Sequence, residues 1–439
     1  MEIKIRNFGK IYSADIEIKG ITVVAGNNNT GKTTVGKALF SIFNSVYGMS
    51  EKINVTRKKE TITRCRNVFR NMCYSKTEEE NDINPLQYNL SRQIEMAMHE
   101  FTNSLQCTGA YFDDPDEIYD IFSKIADKYA LILDDNKRND FYNLISEELN
   151  LINEMKDSTI SSEIIERFFK NVFSEQICNL ANQNESRLKL EIHGQELCML
   201  FKGNSCVAWE ANFEIMHEAF LLDDPFVLDE LDKFYRYSMT GLSHRDFLIS
   251  KIEKNYYDNE ETIISSVLAK EKLKEIEQII ENIVPENLEK RNGEWVIPSN
   301  EYSEGIRIDN VSAGIKSFLL LKVLLEKGIL KEKDVLILDE PEIHLHPEWQ
   351  IKYAEIIVLL QKMFDLSILV TTHSRDFFEA VELYSKKYSI LDKCKFYLSK
   401  QGSAGVEFLD VSENTVDIYK HLVDPSRLLD KLKFELEEE

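Results

Sequence analysis

The sequence predicts an α/β fold interrupted by a long, mainly helical insertion. Three observations carry this expectation. Short apolar strands alternate with amphipathic helices at both ends of the chain. A glycine-rich turn joins one of those strands to a helix near the N-terminus, and the stretch from about 47 to 180 is polar with helical periodicity.

The opening residues read as three strands, IKIRNF, SADIEI and ITVVAG. Residues 32–46 then place Val35, Leu39, Ile42, Phe43 and Val46 at helical spacing. Breaks at DINPL (82–86) and DDPDE (113–117) punctuate the polar helical stretch. RLKLEIHG, ELCMLF and CVAWEANFEI form a short β section near 186–215, and helical periodicity returns over 261–284, closed by Pro285. WVIPS and GIRIDNV look like paired strands ahead of the apolar helix SAGIKSFLLLKVLLEKGIL. VLILD and SILVTTH are buried strands flanking the helix QIKYAEIIVLLQKMF; KFYLSK and VEFLDVS close the sheet before an acidic terminal helix. The expected domains are 1–46 and 301–439 as two parts of one α/β core, with 47–300 as the insertion.

Composition narrows the class. Hydrophobic residues make up 43% of the 439 and aromatics 10%, the balance of a chain that folds around a core. No apolar run approaches the roughly 20 residues of a membrane span, and the first residues alternate like a strand rather than forming a signal sequence. The seven cysteines are scattered without a CxxC pair, which predicts reduced thiols and a cytoplasmic location. A net charge of −23 excludes a uniformly basic nucleic-acid binder. It leaves room for a local track: TRKKETITRCRNVFR, residues 56–70, carries six Lys or Arg and one Glu. The acidic clusters EEEND (78–82) and DDPDE follow it, so the track reads either as a charge-balanced helical face or as a nucleic-acid contact.

Gly26-Asn27-Asn28-Asn29-Thr30-Gly31-Lys32-Thr33-Thr34 fits GxxxxGK[ST] between an apolar strand and a helix, the context of a phosphate-binding loop. The glycines let backbone N–H groups turn inward and the helix N-terminus adds partial positive charge. Lys32 is expected to reach the β- and γ-phosphates of ATP, and the Thr33 hydroxyl to ligate magnesium. LILDEPEIHLHPEWQ (336–350) crowds Asp339, Glu340, Glu342, His344, His346 and Glu348 behind an apolar strand. Asp339 at the strand end can hold the magnesium, and Glu340 can orient and deprotonate the attacking water. A separate metal site on His344 and His346 is the rival reading; no further His or Cys lies nearby in sequence to complete it. His373, ending SILVTTH, could hydrogen-bond the γ-phosphate or the water. In NVSAGIKSF (310–318), Ser312 and Gly314 open a helix whose N-terminus could receive an anion.

The order of these elements resembles the ABC-type ATPase heads of the SMC and RecF class, and more closely ATPases similar to the overcoming-lysogenization-defect (OLD) family. VSAGIK resembles the LSGGEK-type signature through Ser312, Gly314 and Lys316, with Ala313 and Ile315 departing from it. The resemblance is strongest over roughly 1–46 and 304–380. It implies an ABC/SMC-type P-loop head, with Ser312 and Gly314 capping ATP held by a second copy in a head-to-head dimer. DEPEIHLHP is typical of the OLD-like group, which puts His344 and His346 in a dimer-facing loop. The adenine contact is sought between Phe8 and Tyr12. The residues after His373 contain no DxD, so the Toprim nuclease of the OLD family proper is not expected.

The function expected from this resemblance is a slow ATPase switch that dimerises around ATP and magnesium and regulates a separate effector, a nuclease or toxin, in bacterial antiphage defence. The alternative is a RecF- or SMC-like ATPase of DNA repair that binds nucleic acid through 56–70, with Arg57, Lys58, Lys59 and Arg64 as its contacts.

Overall fold

The computed structural model describes residues 1–74, 85–107, 114–129, 131, 135–179, 184–231, 243–257, 274–299, 302–402 and 405–437. Its contacts divide the chain into a sheet-bearing unit, Met1–Tyr47 with Ile164–Glu439, and a helical unit, Gly48–Glu163.

In the sheet-bearing unit, β1 (Glu2–Phe8) buries alternate residues and pairs antiparallel with β2 (Ile11–Glu17). β3 (Ile21–Gly26) is buried along its whole length, as a strand covered on both faces must be. β4 (Ser186–Ile192), β5 (Gln195–Lys202) and β6 (Ser205–Ala211) form an antiparallel meander, and β4 pairs with β1. The interval 47–300, expected as one insertion, is therefore divided: its β section is hydrogen-bonded into the main sheet. The short β7 (Ala219–Leu222) joins the same sheet, parallel to β11 (Val335–Asp339). Four residues, AFLL, are too few to show a period, and sequence reasoning missed this strand.

With β12 (Ser367–Thr372), β13 (Cys394–Gln401) and β14 (Val406–Asp410), the sheet has eleven strands in the order β6-β5-β4-β1-β2-β14-β13-β3-β12-β11-β7. From β13 to β7 every pairing is parallel. A separate small sheet contains β8 (Glu289–Arg291), β9 (Glu294–Ile297) and β10 (Ile306–Arg307); the rest of GIRIDNV turns into a short 3-10 helix over Ile308–Asn310.

Helix α1 (Lys32–Val46) lies on the parallel strands so closely that a Cβ at Gly36 would stand 2.9 Å from Ile337 Cγ2. Apolar residues of α9 (Ala313–Glu326) and α10 (Pro347–Phe364) share one buried cluster with the strands, including Phe318, Leu324, Ile357, Leu336 and Val370. α11 (Arg375–Lys387) follows β12, and α12 (Val416–Glu437) ends the described chain. Of the helix expected over 261–284, residues 258–273 lie outside the described residues; 274–281 is helical (α8) and buries Ile276 and Ile280. α7 (His244–Tyr257) precedes it.

The helical unit contains α2 (Met49–Tyr74), α3 (Pro85–Cys107), α4 (Pro115–Lys128) and α5 (Asp135–Glu154), and α6 (Asp157–Val172) begins in it. The DDPDE break is a helix start: Asp114 accepts from Asp116 N and Pro115 occupies the first turn. EEEND lies outside the described residues. The unit's core is aromatic, with Phe122 and Phe141 stacked at 3.6 Å between centroids and Phe69 stacked on Phe101. Burial pushes the thiols of Cys65 here and Cys206 on β6 up to about 12, so neither is a nucleophile at neutral pH. Among the described residues no helix is long and apolar enough to cross a membrane.

Candidate functional site

The glycine-rich loop occupies the turn between β3 and α1. Gly31 takes φ 74° at the N-cap, where no side chain caps the helix, so the first-turn N–H groups remain available to an anion. Gly26 has φ 153° and a Cβ there would lie 2.0 Å from Ser399 Oγ, its neighbour across β13. Thr30 Oγ1 donates to Asn27 O at 2.7 Å and pairs with Ser399 Oγ at 2.6 Å, which fixes the loop from beneath. Asn27, Asn28 and Asn29 are exposed, and the Asn29 side chain accepts from Lys10. A cavity of about 900 Å³ opens above, lined by residues 28–34, Lys37, Gln176, Glu340 and Gln401 among others.

The acid-ended strand reaches this loop. Thr33 Oγ1 donates to Asp339 Oδ2 at 2.7 Å, and Thr371 Oγ1, the register neighbour on β12, donates to Asp339 Oδ1 at 2.5 Å. Burial pushes the Asp339 carboxyl up, against the lowering effect of those two hydroxyls. Glu340 sits at φ 50°, uncommon for a residue with a Cβ, and its N–H bonds to Thr371 O and Oγ1, both at 3.1 Å. That backbone aims the side chain toward Lys32: Glu340 Oε1 stands 3.5 Å from Lys32 Nζ and 3.5 Å from His373 Nδ1. Lys32, buried, also donates to Gly26 O and Asn27 O.

Glu342, treated in the sequence as one member of an acidic crowd, has a distinct place. Its Oε1 accepts from Thr372 Oγ1 at 2.5 Å, His373 N at 3.0 Å and Ser374 N at 3.2 Å. Gln350 adds a second tie, accepting from Ser374 Oγ and donating to Leu345 O. The loop after β11 is thereby stapled to the end of β12. Neither tie has a sequence signature, because each depends on which strand ends become neighbours.

The remaining expected residues separate. Ser312 is exposed and caps α9, Ala313 is half-buried, and Gly314 is buried where a Cβ would meet His344 O at 3.0 Å and the Trp349 ring. Lys316 is fully buried, 2.6 Å from Asp229 Oδ1 and over the Phe226 ring. His344 and His346 are exposed; His344 lies edge-on to Phe226. Among the described residues no group of three or more His, Cys, Asp or Glu is arranged to hold a metal. In the region searched for an adenine contact, Phe8 is buried against Phe169, Phe173 and Phe201, while Tyr12 is exposed.

A glycine loop between a central parallel strand and a helix, meeting an acid at the end of a nearby parallel strand, defines a P-loop ATPase of α/β class. The chain belongs to the AAA ATPase domain family (AAA_15), whose family model matches residues 1–378. Solved structures with some likeness include an SMC head bound to the C-winged helix domain of ScpA, at 9% identity and TM-score 0.45, covering 94% of this chain and 98% of that one. The SMC head domain from Thermotoga maritima aligns at 10% identity and TM-score 0.37, over 93% and 98% of the two chains. An SMC head with extended coiled coil, bound to the C-terminal domain of ScpA derived from Pyrococcus furiosus, aligns at 9% identity and TM-score 0.29, over 98% of both. These likenesses are too distant to bear on function.

Proposed function

We propose that this ATPase-family chain is an ATP-hydrolysing switch. The observation that carries the reading is the convergence of Lys32, Thr33, Asp339, Glu340 and His373 at the mouth of one glycine loop. In it, the N–H groups of residues 27–34 and Lys32 bind the β- and γ-phosphates, Lys32 exchanging its carbonyl partners for phosphate oxygens. The donors Thr33 Oγ1 and Asp339 Oδ2 are hard oxygens already in contact, a pair that suits magnesium shared with phosphates and water. When bound there, magnesium supplies charge neutralisation on the transferring phosphoryl group. Glu340 takes the proton as the water oxygen bonds to the γ-phosphorus, and the bond to the β–γ bridging oxygen breaks to leave ADP and phosphate. His373, held at its backbone by Glu342, orients the water or the γ-phosphate.

The switch reading continues from the resemblance of VSAGIK and DEPEIHLHP to the SMC- and OLD-like heads. ATP joins two copies head to head, with Ser312, Ala313 and the α9 N-terminus of one facing the loop of the other, and His344 and His346 at the contact. Hydrolysis releases them, and a separate effector, a nuclease or toxin of antiphage defence, reads the state. The test is the solution mass of Glu340→Gln with and without ATP and magnesium, alongside turnover of the unaltered chain and of Lys32→Ala. Mass doubling on ATP with turnover lost in both variants supports the switch. Turnover unchanged in both would sink the site itself, and lost turnover without any change of mass would leave an ATPase that does not pair.

A further inference from the structure

β7 is followed by an acid that no motif marks. β7 and β11 run parallel with Leu222 beside Leu338, so the residues that come next, Asp223 and Asp339, leave the sheet as neighbours. They also share a face. A Cβ on Gly36 of α1 would stand 2.9 Å from Ile337 Cγ2 and 3.9 Å from Leu221 Cδ1, which puts both of those side chains beneath α1. Alternate residues of a strand face the same way, so Asp339 and Asp223, two residues further on, project toward the first turn of α1. The Thr33 bond to Asp339 agrees with this for β11. Asp223, Asp339 and Glu340 are among the residues lining one small cavity of about 40 Å³, room for a water molecule.

Asp223 is held by the start of α7. His244 Nε2 lies 2.7 Å from Asp223 Oδ2, and Arg245 donates from Nε to Oδ1 at 3.2 Å and from Nη2 to Oδ2 at 3.3 Å. His244 is itself buried, edge-on to Phe40 of α1. An ion pair within the fold explains Arg245, which also stands 3.2 Å from Asp224 Oδ2. It does not explain a second carboxylate beside Asp339. Neighbouring strands lie about 4.8 Å apart, and like charges set side by side on them repel. A cation close to both carboxylates turns that repulsion into attraction. On the reading of this loop as an ATP site, we propose that Asp223 is a positioning residue. It accepts hydrogen bonds from water bound to the magnesium that Thr33 and Asp339 hold. Magnesium gives up water reluctantly and keeps several waters beside one or two carboxylates. A carboxylate clamped by His244 and Arg245 fixes the direction of such a water.

The experiment titrates the full chain with a fluorescent ATP analogue over a range of magnesium concentrations, with EDTA as the metal-free reference. In the unaltered chain magnesium tightens nucleotide binding. Asp223→Asn keeps an oxygen for His244 and removes the charge. It should raise the magnesium concentration at half-effect about 10- to 100-fold without lowering the metal-free affinity. Asp223→Ser should shift it in the same direction, and it serves where the asparagine variant fails to fold by circular dichroism. His244→Ala keeps the carboxylate but loosens it, and should give a smaller shift. The control Asp392→Asn removes an exposed charge beside the start of β13, at the end of the parallel strands away from the loop. It should shift the requirement by less than about twofold. An unchanged magnesium requirement in Asp223→Asn overturns the proposal. So does an equal loss of metal-free affinity, which would make Asp223 a support of the fold alone. An unaltered chain that binds no nucleotide at any magnesium concentration would overturn the ATP-site reading itself, and the role of Asp223 with it.

Discussion

Thr33 Oγ1 donates to Asp339 Oδ2 at 2.7 Å, joining two side chains 306 positions apart in the sequence. The contact links the first turn of α1 to the end of β11. It leads to the first prediction. Magnesium should tighten ATP binding to the unaltered chain at least about tenfold, worth about 1.4 kcal/mol. Asp339→Asn should bind ATP similarly with or without magnesium, by titration with a fluorescent nucleotide. An undiminished magnesium effect in the variant would remove Asp339 from the metal's ligands.

Glu342 is predicted to position rather than to react. Its Oε1 holds Thr372, His373 and Ser374, while Oε2 is buried without a protein partner among the described residues. Glu342→Ala should lower kcat by about 10- to 100-fold through misplacement of His373, with ATP affinity nearly unchanged. Glu342→Gln keeps one acceptor oxygen and should recover part of the loss. If affinity and kcat fell together, Glu342 would be holding the whole site rather than His373.

Lys316 tests whether the signature helix faces inward where the structure places it. Removing one member of a buried ion pair costs about 3–5 kcal/mol, because the other charge is left uncompensated. Lys316→Ala should therefore lower stability to urea by about that amount, and Lys316→Met combined with Asp229→Asn should restore much of it. A stable Lys316→Ala protein that no longer associates on ATP would mean that the lysine does reach a second copy.

Much of this was legible in the sequence, for identifiable reasons. Strands VLILD and SILVTTH announce themselves because parallel strands covered on both faces are continuously apolar. The phosphate loop is legible because glycine at Gly26 and Gly31 answers a local demand, a steric one against Ser399 and a left-handed φ. Thr371, Ser399 and Glu342 were not legible. Their parts come from strand register and from loops meeting across the sheet, relations that carry no period.

Asp334 gives a pH dependence with a definite sign. Burial lifts its carboxyl to about 6 from an ordinary 3.8, despite hydrogen bonds from Lys331 N and Glu218 N. The native state thus holds the proton more tightly than the unfolded chain. Stability from this group is complete below about 4 and is lost as pH rises through 6. Asp334→Asn keeps a neutral side chain at every pH. Relative to the unaltered chain, it should gain up to about 3 kcal/mol between pH 4 and 7.5, read from urea unfolding. A difference that stays flat with pH would show that Asp334 ionises freely in the fold.

The last prediction separates pairing of heads from helix capping. Ser312 is the exposed residue of the signature, and its hydroxyl accepts from Ile315 N at 3.5 Å to cap α9. Gly314, by contrast, is occupied within its own chain by His344 and Trp349. Two changes at Ser312 share one consequence and differ in another. Ser312→Ala and Ser312→Arg both lose the cap, at a cost of about 0.5–2 kcal/mol. Only arginine adds a long charged side chain to the surface that faces the second copy in the proposed pairing. In the Glu340→Gln background, ATP should still double the mass of the alanine variant and fail to do so with arginine, while both bind ATP normally. Loss of association in both would place the effect in the fraying of α9. Retention in both would mean that the heads pair through a different surface, or that the α9 N-terminus never approaches the partner's loop.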